Sequence, residues 1–297
     1  MKVLFVYLHG IGDCIMFTPA LRMYKEKYPD RNIGILCLPL TEQFWKSLPY
    51  IDQVFVSYRT KPPHHGMLPF YVFERMKLQR IINKIKRDFK YDKVEYIVPH
   101  SWRIFLVSIP VPGVIRRLIT LPFEKHEVLK LCKRLNVGQG KRWPVDFKQE
   151  VVLKKQYKDE ASILTKALKG KKPLCIIHAQ ASSKSKSLTP QEKNEMISLM
   201  QKRYTVCVLQ EKSFNPRAKY VVTKEIMISA AIIAQVKLFM GIDSGPAHIA
   251  EVLNVPRVII TKAFKPELLY LPAKNALLLD RVKRTKIAAF IETTYER

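Results

Sequence analysis

The sequence predicts an α/β protein built from two doubly wound, parallel-sheet halves, and three observations support this. Short apolar segments alternate with longer segments of helical periodicity. The alternation occurs twice, first from Lys2 to Val98 and again from Leu174 to Ile260. The 297 residues are 47% hydrophobic, which is enough for two cores of ordinary domain size. Such β-α-β alternation is typical of parallel sheets.

The first half combines four predicted strands with helices. The strands are short apolar runs: Lys2–Leu8, Asn32–Leu38, Gln53–Val56 and Lys93–Val98. Helices are predicted over Cys14–Tyr28, Thr41–Ser47, Phe73–Lys90 and Leu129–Leu135, and within His100–Arg117. Arg59–Pro69 holds three prolines and a glycine, so we predict an exposed loop there, with His64 and His65 solvated.

The second half repeats the pattern. Strands are predicted over Leu174–His178, Val206–Gln210, Leu238–Ile242 and Arg257–Ile260. Helices are predicted over Glu160–Leu168, Pro190–Lys202, Ile226–Gln235 and Arg284–Thr294, and from Pro246 onwards. Glycine, proline and charged residues between positions 138 and 160 indicate a domain boundary. We therefore predict domains over 1–150 and 151–280 and a C-terminal helix within 281–297.

The composition is strongly basic, with a net charge of +27 that favours polyanionic partners such as nucleic acid, anionic lipid or phosphorylated glycan. The helix Phe73–Lys90 is basic and amphipathic, which suits either a membrane surface or a solvated face. Its predicted apolar face consists of Met76, Ile81, Ile82, Ile85 and Phe89. The longest apolar segment, Ile226–Val236, is too short to cross a membrane. The five cysteines show no C-x-x-C spacing and are interpreted as reduced core thiols.

One stretch, Phe239–Pro256, has the pattern of an anion pocket. An apolar strand leads into Asp243, Ser244 and Gly245, and a helix follows directly. The N–H groups at a helix start attract phosphate, and Asp243 can accept hydrogen bonds from sugar hydroxyls. The alternative is that Asp243 or Ser244 only caps the helix and that His248 is a half-buried histidine whose hydrogen bonds are satisfied. The residues alone leave both interpretations open.

Two further loops follow predicted strands. In HGIGD, Gly10 and Gly12 allow a tight turn and Asp13 lies at a helix start, where it either takes a proton or serves as N-cap. The serine turn, Ala179–Lys186, can hold a diphosphate or be a solvated loop. Neither loop has the full dinucleotide or Walker pattern. No D-x-D occurs in the sequence, so no metal site is predicted.

The chain resembles the heptosyltransferases, glycosyltransferase family 9. The resemblance is carried by DSGPAHIA with NVP after it, and by further segments: HGIGDCIMFTPALRMYKEKYPD, YDKVEYIVPHSWR, HEVLKLCKRLNV and IIHAQASSKSKSLTPQ. It implies a GT-B fold, in which two Rossmann-like domains face a central cleft. It also implies inverting transfer of heptose from ADP-heptose to a lipopolysaccharide-type acceptor, with no metal and no cofactor beyond the nucleotide-sugar co-substrate.

The resemblance also assigns roles to individual residues. It makes Asp13, beside Gly10 and Gly12, the general base for the acceptor hydroxyl. It places Lys186 on the donor diphosphate, with Lys184 as an open alternative, and puts Ser182 and Ser183 in the same turn. Asp243 would bind sugar hydroxyls, Ser244 and Gly245 would bind phosphate through backbone N–H groups, and His248 would lie nearby. The sequence departs from the family at Ala179–Gln180, where proline and glycine are usual.

We therefore expect a glycosyltransferase whose partners are a nucleotide-sugar and an acidic glycan or glycolipid. We expect it in the cytoplasm, with the basic helix as a candidate contact to the inner face of the cell membrane. Two alternatives from other classes remain: a non-catalytic polyanion-binding protein on the same scaffold, and a nucleotide-sugar epimerase or hydrolase. Nucleic-acid-binding motifs are absent, so nucleic acid is not an expected partner.

Overall fold

The structure is a computed structural model of the chain. It describes residues 1–58, 68–97, 126–181, 186–210, 215, 217–223, 225–262, 265–271 and 273–295. The chain divides into two compact units, Met1–Gln149 and Glu150–Arg297. The predicted helix within 100–117 and most of the predicted loop at 59–69 lie outside the described residues.

The first unit contains a four-stranded parallel sheet. Its strands are β1 (Lys2–Val6), β2 (Asn32–Cys37), β3 (Gln53–Val56) and β4 (Lys93–Tyr96). The order across the sheet is β3-β2-β1-β4, so the chain moves outward from β1 and then returns to its other side. The point at which the direction reverses lies between β1 and β4, and α/β sheets bind ligands beside such a point.

Helices cover both faces of this sheet. They are α1 (Ile11–Lys27), α2 (Glu42–Trp45), α3 (Leu68–Phe89) and α4 (Glu127–Arg134). On one face, α1 packs Phe17 and Tyr24 edge-on against Phe5 of β1. On the other face, α3 packs Ile82 and Ile85 against a cluster that contains Leu4 and Leu36. The α/β layering predicted for the first half is confirmed.

The basic helix α3 differs from the sequence prediction in which residues it buries. Ile82 and Ile85 are buried as expected, but Met76 and Phe89, which were assigned to the same apolar face, are 51% and 40% exposed. The predicted apolar face was therefore too wide. Leu78 and Ile81 are partly buried against the same cluster, and the Phe89 ring contacts Phe55 of β3 with 4.8 Å between the ring centroids.

The second unit contains a six-stranded parallel sheet in the order β10-β9-β8-β5-β6-β7. The strands are β5 (Leu174–His178), β6 (Thr205–Leu209), β7 (Lys219–Val221), β8 (Leu238–Ile242), β9 (Arg257–Ile260) and β10 (Ala276–Leu279). The sequence prediction missed β7 and β10, which are the two edge strands. The reversal of direction lies between β5 and β8.

The helices of this unit are α5 (Lys155–Leu168), α6 (Pro190–Gln201), α7 (Ile226–Ile233), α8 (Gly245–Val252) and α9 (Arg284–Tyr295). Residues of α6 and α9, including Met196 and Ile287, share one core with alternate residues of the strands such as Ile177 and Met240. The α5 and α8 helices both pack against α7. The predicted C-terminal helix thus belongs to this unit's core.

Two further findings concern the chain as a whole. All five cysteines are buried and form no disulfide, as predicted. Among the described residues, no helix is long and apolar enough to span a membrane.

Candidate functional site

In the second unit, two loops meet at the reversal point of the sheet. One follows β5 and ends at Lys186, and the other follows β8 and contains Asp243. The Nζ atom of Lys186 donates a hydrogen bond of 2.9 Å to Oδ2 of Asp243. The carboxyl ends of neighbouring parallel strands lie at one edge, which explains why residues 57 positions apart come together. Both residues were predicted to bind the donor.

The Asp243 carboxylate is almost fully buried and is held by three side chains. Besides Lys186, the Tyr270 hydroxyl donates to its Oδ1 at 2.9 Å, and Nε2 of His248 lies 3.7 Å from the same oxygen. Burial alone would raise the pKa of Asp243, but the contacts with His248 and Lys186 outweigh it and hold the pKa well below its usual range. Asp243 is therefore a carboxylate that can accept hydrogen bonds.

His248 lies beneath Asp243 in the interior. It is 3% exposed, and its ring stacks on Tyr270 with 4.5 Å between the ring centroids. Its Nδ1 atom lies 3.7 Å from Oε2 of Glu251. Burial lowers its pKa, but the neighbouring carboxylates of Asp243 and Glu251 raise the pKa to about 9. His248 is thus a buried cation at neutral pH, and its expected contact with the donor stays a prediction.

The start of α8 does not use a side-chain cap. Ser244 is the N-cap residue, but its hydroxyl donates to the Ile242 carbonyl at 3.0 Å instead of bonding the helix N–H groups. The same Oγ lies 3.1 Å from Nδ1 of His178, at the end of β5. Asp243 precedes the N-cap position. Ser244 therefore occupies the N-cap position that the capping alternative gave it, but its side chain does not bond the helix N–H groups.

Close approach of two strands also shapes this edge. Gly241 of β8 pairs with His178 of β5, and a Cβ atom at position 241 would lie 2.6 Å from the His178 carbonyl oxygen. Only glycine fits there without a shift of the backbone. The absence of a side chain at 241 thus lets the two site loops begin side by side.

The serine turn is anchored at its end. Ser187 Oγ accepts a hydrogen bond from the Ala181 amide at 3.0 Å, and Lys262 after β9 donates to the Ser187 carbonyl and to Glu192. These bonds fix the residue that follows Lys186. The predicted Ser182 and Ser183, and the competing Lys184, lie outside the described residues.

Asp13 lies in the first unit, in the first turn of α1. Gly10 is the N-cap residue of this helix, without a side-chain cap, so the alternative that Asp13 is the N-cap is wrong. Asp13 is half-buried, and its carbonyl accepts a hydrogen bond of 2.9 Å from the Tyr7 hydroxyl. His9 beside it is buried, which lowers its pKa. Gly10 lies in the strand-to-helix turn as predicted, whereas Gly12 lies inside α1, which begins at Ile11, before the predicted start at Cys14. Asp13 carries a carboxyl group beside the reversal point of this sheet.

No protein-family model matches the sequence, and no curated protein does either. Solved structures do match. A glycosyl transferase family 9 structure from Veillonella parvula has a TM-score of 0.71 at 15% identity, over 99% of this chain and 97% of that one. E. coli ADP-heptose lipopolysaccharide heptosyltransferase II has a TM-score of 0.70 at 16% identity, over 100% and 99%. E. coli heptosyltransferase WaaC with ADP has a TM-score of 0.63 at 12% identity, over 99% and 100%.

The chain has the fold of these glycosyltransferases. The two parallel α/β sheets implied by the sequence resemblance are thereby confirmed along nearly the whole length. At this level of identity the likeness establishes the fold, while the chemistry has to be argued from the residues.

Three residues of the site were not foreseen from the sequence. Tyr270 follows a short 3-10 helix and was not predicted, although it donates to Asp243. Glu251 and Arg257 lie behind His248 and were not predicted either. Of the three, only Glu251 had a signal, because a carboxylate three positions after a histidine shares its helix face. Within the described part of the chain, no group of three metal-ligating side chains is present.

Proposed function

We propose that this protein is an inverting, metal-independent glycosyltransferase that moves a sugar, heptose from ADP-heptose, onto a lipopolysaccharide-type or other acidic glycan. The observation that carries the proposal is the Lys186–Asp243 pair at the reversal point of the second sheet. It combines a cation suited to phosphate with a carboxylate suited to hydroxyl groups. A nucleotide-sugar carries phosphate groups and sugar hydroxyl groups within a few bonds of each other.

The donor would bind at the edge formed by the loops after β5 and β8. Lys186 would turn from Asp243 to the diphosphate, since its side chain is 28% exposed and ends a long flexible stem. Asp243 would then accept hydrogen bonds from sugar hydroxyls. Ser244 and Gly245, half-buried at the start of α8, would offer backbone N–H groups to phosphate.

These groups suit the departure of a nucleoside diphosphate. As the bond between the sugar and the phosphate breaks, negative charge grows on the phosphate and positive charge on the sugar ring. Lys186 and the backbone N–H groups at the start of α8 would stabilise the negative charge on the phosphate. In other enzymes a bound metal ion has this role.

Asp13 would supply the base. A half-buried carboxylate in the first turn of a helix can take the proton of an acceptor hydroxyl as that oxygen attacks the sugar. A single displacement from the face opposite the leaving group inverts the configuration at the anomeric carbon. The lipopolysaccharide named for the structural neighbour fits the +27 charge, because that charge attracts acidic glycans.

Peripheral membrane contact would involve α3. Its described residues 76–89 carry five lysine and arginine side chains together with the exposed Met76 and Phe89. Exposed apolar residues beside basic ones suit an anionic lipid surface. Vesicles with and without anionic lipid, cosedimented with the protein, test this part on its own; equal binding to both would contradict it.

A thermal-shift panel of ADP-, GDP-, UDP- and dTDP-linked sugars tests the donor class, because a ligand that binds only the folded state raises the melting temperature. The ADP-heptose sample is expected to respond. Transfer is then measured with a deacylated lipopolysaccharide core in EDTA, and the anomeric configuration is read by NMR. Product without any acceptor would instead indicate an epimerase or hydrolase. Salt-sensitive DNA binding with no response to any sugar nucleotide would indicate a polyanion-binding protein.

A further inference from the structure

Behind Asp243, a row of ionisable side chains continues into the interior of the second unit. His248, Glu251 and Arg257 are 3%, 8% and 1% exposed. From Asp243 inward the row alternates carboxylate, imidazole, carboxylate and guanidinium. Burying a charge is costly unless a partner of opposite sign lies beside it, so such a row requires each member to be matched to the next.

Glu251 is fixed at the centre of this row. Its Oε1 atom accepts a hydrogen bond of 2.6 Å from the Leu271 amide and lies 3.8 Å from Nη2 of Arg257. Its other oxygen, Oε2, faces Nδ1 of His248 at 3.7 Å. Backbone and guanidinium therefore hold Glu251 in place, whatever is bound at the surface.

His248 consequently lies between two carboxylates. Asp243 faces it from the turn after β8, Glu251 from its own helix α8, and Tyr270 covers one face of the ring. Tyr270 donates its hydroxyl to Asp243 and brings no charge. With a carboxylate on each side, the imidazole is most stable with both nitrogens protonated.

This arrangement matters when Lys186 is occupied elsewhere. In the proposed function Lys186 turns toward a diphosphate, which removes one cation from Asp243. Tyr270 alone would leave a nearly buried carboxylate with a neutral partner, and such a carboxylate tends to take up a proton. A protonated acid is a poorer acceptor for the donor's hydroxyl groups.

We propose that Glu251 is a positioning residue that keeps His248 cationic beside Asp243, so that Asp243 stays an ionised, oriented acceptor for donor hydroxyls after Lys186 has turned to the diphosphate. This inference rests on the proposed function. It adds two residues, His248 and Glu251, that support the donor site without touching the substrate. Glu251 acts through His248, and His248 acts through Asp243.

The first test is an NMR titration of the histidine rings in the full chain. The His248 signal is assigned by its loss in His248→Gln. In Glu251→Gln, which keeps the shape and removes the charge, the pKa of His248 is expected to fall by about one unit or more. Glu292→Gln is the matched control, because Glu292 pairs with Arg203 on the surface of the same unit. An unchanged His248 pKa in Glu251→Gln would overturn the inference.

The second test follows donor affinity against pH. Wild-type affinity for ADP-heptose is expected to stay constant between pH 6.5 and 8.5, whereas affinity of Glu251→Gln falls about tenfold over this range as His248 loses its proton. Tyr270→Phe is expected to weaken binding equally at every pH. Parallel pH profiles for wild type and Glu251→Gln would contradict the inference.

Two further outcomes are informative. If the wild type binds no nucleotide-sugar, the proposed function fails with the donor part of the inference, while the titration still decides whether Glu251 controls His248. If Glu251→Gln does not fold, Glu251→Asp takes its place. It retains the charge but withdraws it by one methylene, so a smaller decrease in the His248 pKa supports the inference and no decrease overturns it.

Discussion

Lys186 and Asp243 form an ion pair of 2.9 Å at the point where the strand order of the second sheet reverses. The pair joins two loops that are 57 residues apart, and it sits at the edge where parallel α/β sheets bind their ligands. Lys186 bonds Oδ2 of Asp243, while Tyr270 and His248 contact Oδ1. A donor would therefore have to separate Lys186 from Asp243, and its phosphate and hydroxyl groups would have to replace both partners.

The first prediction concerns Lys186→Met, which keeps the length of the side chain and removes its charge. We expect nucleoside-diphosphate sugars to bind roughly ten- to a hundredfold more weakly, because a hydrogen bond to a charged group contributes about 1.5–3 kcal/mol. Isothermal titration calorimetry with ADP-heptose measures the change. Lys46→Met is the control, since Lys46 forms a similar pair with Glu42 in the first unit. Equal affinity in both variants would rule out the diphosphate role.

The second prediction concerns Asp13→Asn. If Asp13 is the general base, kcat falls by about 10²- to 10⁴-fold while the dissociation constant of the donor stays unchanged. Steady-state kinetics and a thermal shift with ADP-heptose give the two quantities separately. Asp30→Asn serves as control, because Asp30 is an exposed carboxylate in the same unit. A normal kcat in Asp13→Asn would remove the base assignment and leave the fold and donor site unaffected.

Most strands of the two sheets could be predicted from the sequence, but not all of them. Strands inside the second sheet, such as β5, β8 and β9, have apolar runs long enough to be predicted at their observed bounds. The edge strands β7 and β10 of this sheet were missed, although β3 and β4 at the edges of the first sheet were predicted; β7 is only three residues long. Their pairing with β6 and β9 decides their conformation, and pairing cannot be read from a local pattern.

The candidate site likewise contains residues that the sequence could predict and residues that it could not. Asp243 directly follows β8 and Lys186 lies in the loop after β5, so their common location could be predicted from the topology. Tyr270 reaches Asp243 from a segment without periodicity, and Arg257 was predicted only as part of a strand. Its burial depends on Glu251, a partner that neither a strand pattern nor a motif reveals.

The third prediction concerns pH and stability. The folded pKa of His248 is raised to about 9, and a histidine in an unfolded chain has a pKa of about 6.5. A raised pKa means that the folded state binds the proton more tightly. His248 therefore contributes its full stabilisation below about pH 6.5 and loses it as the pH rises to about 9.

We expect the melting temperature of the wild type to fall between pH 6.5 and 9 more steeply than that of His248→Gln. Burial lowers the pKa of His178 to about 4, so its effect lies below pH 6.5 and has the opposite sign. Groups that titrate at higher pH are shared by both proteins and cancel in the comparison. Differential scanning fluorimetry across this range is sufficient, and identical slopes would show that His248 is not a cation in the folded state.

The fourth prediction concerns Gly241→Ala, which adds a methyl group 2.6 Å from the His178 carbonyl oxygen. The neighbour is backbone, so β5 and β8 must move apart, and overpacking of this kind costs about 1–3 kcal/mol. The two site loops begin at these strands, so we expect weaker donor binding as well as lower stability.

Gly34→Ala is the matched control in the first unit, where the added methyl group would meet the Tyr91 ring hydroxyl. It is expected to lower stability without changing donor affinity at temperatures at which the protein is folded. Urea unfolding and calorimetry separate the two effects. If both variants lose stability but only Gly241→Ala loses donor affinity, the spacing of β5 and β8 determines the site. If both keep full affinity, the donor does not depend on this edge of the second sheet.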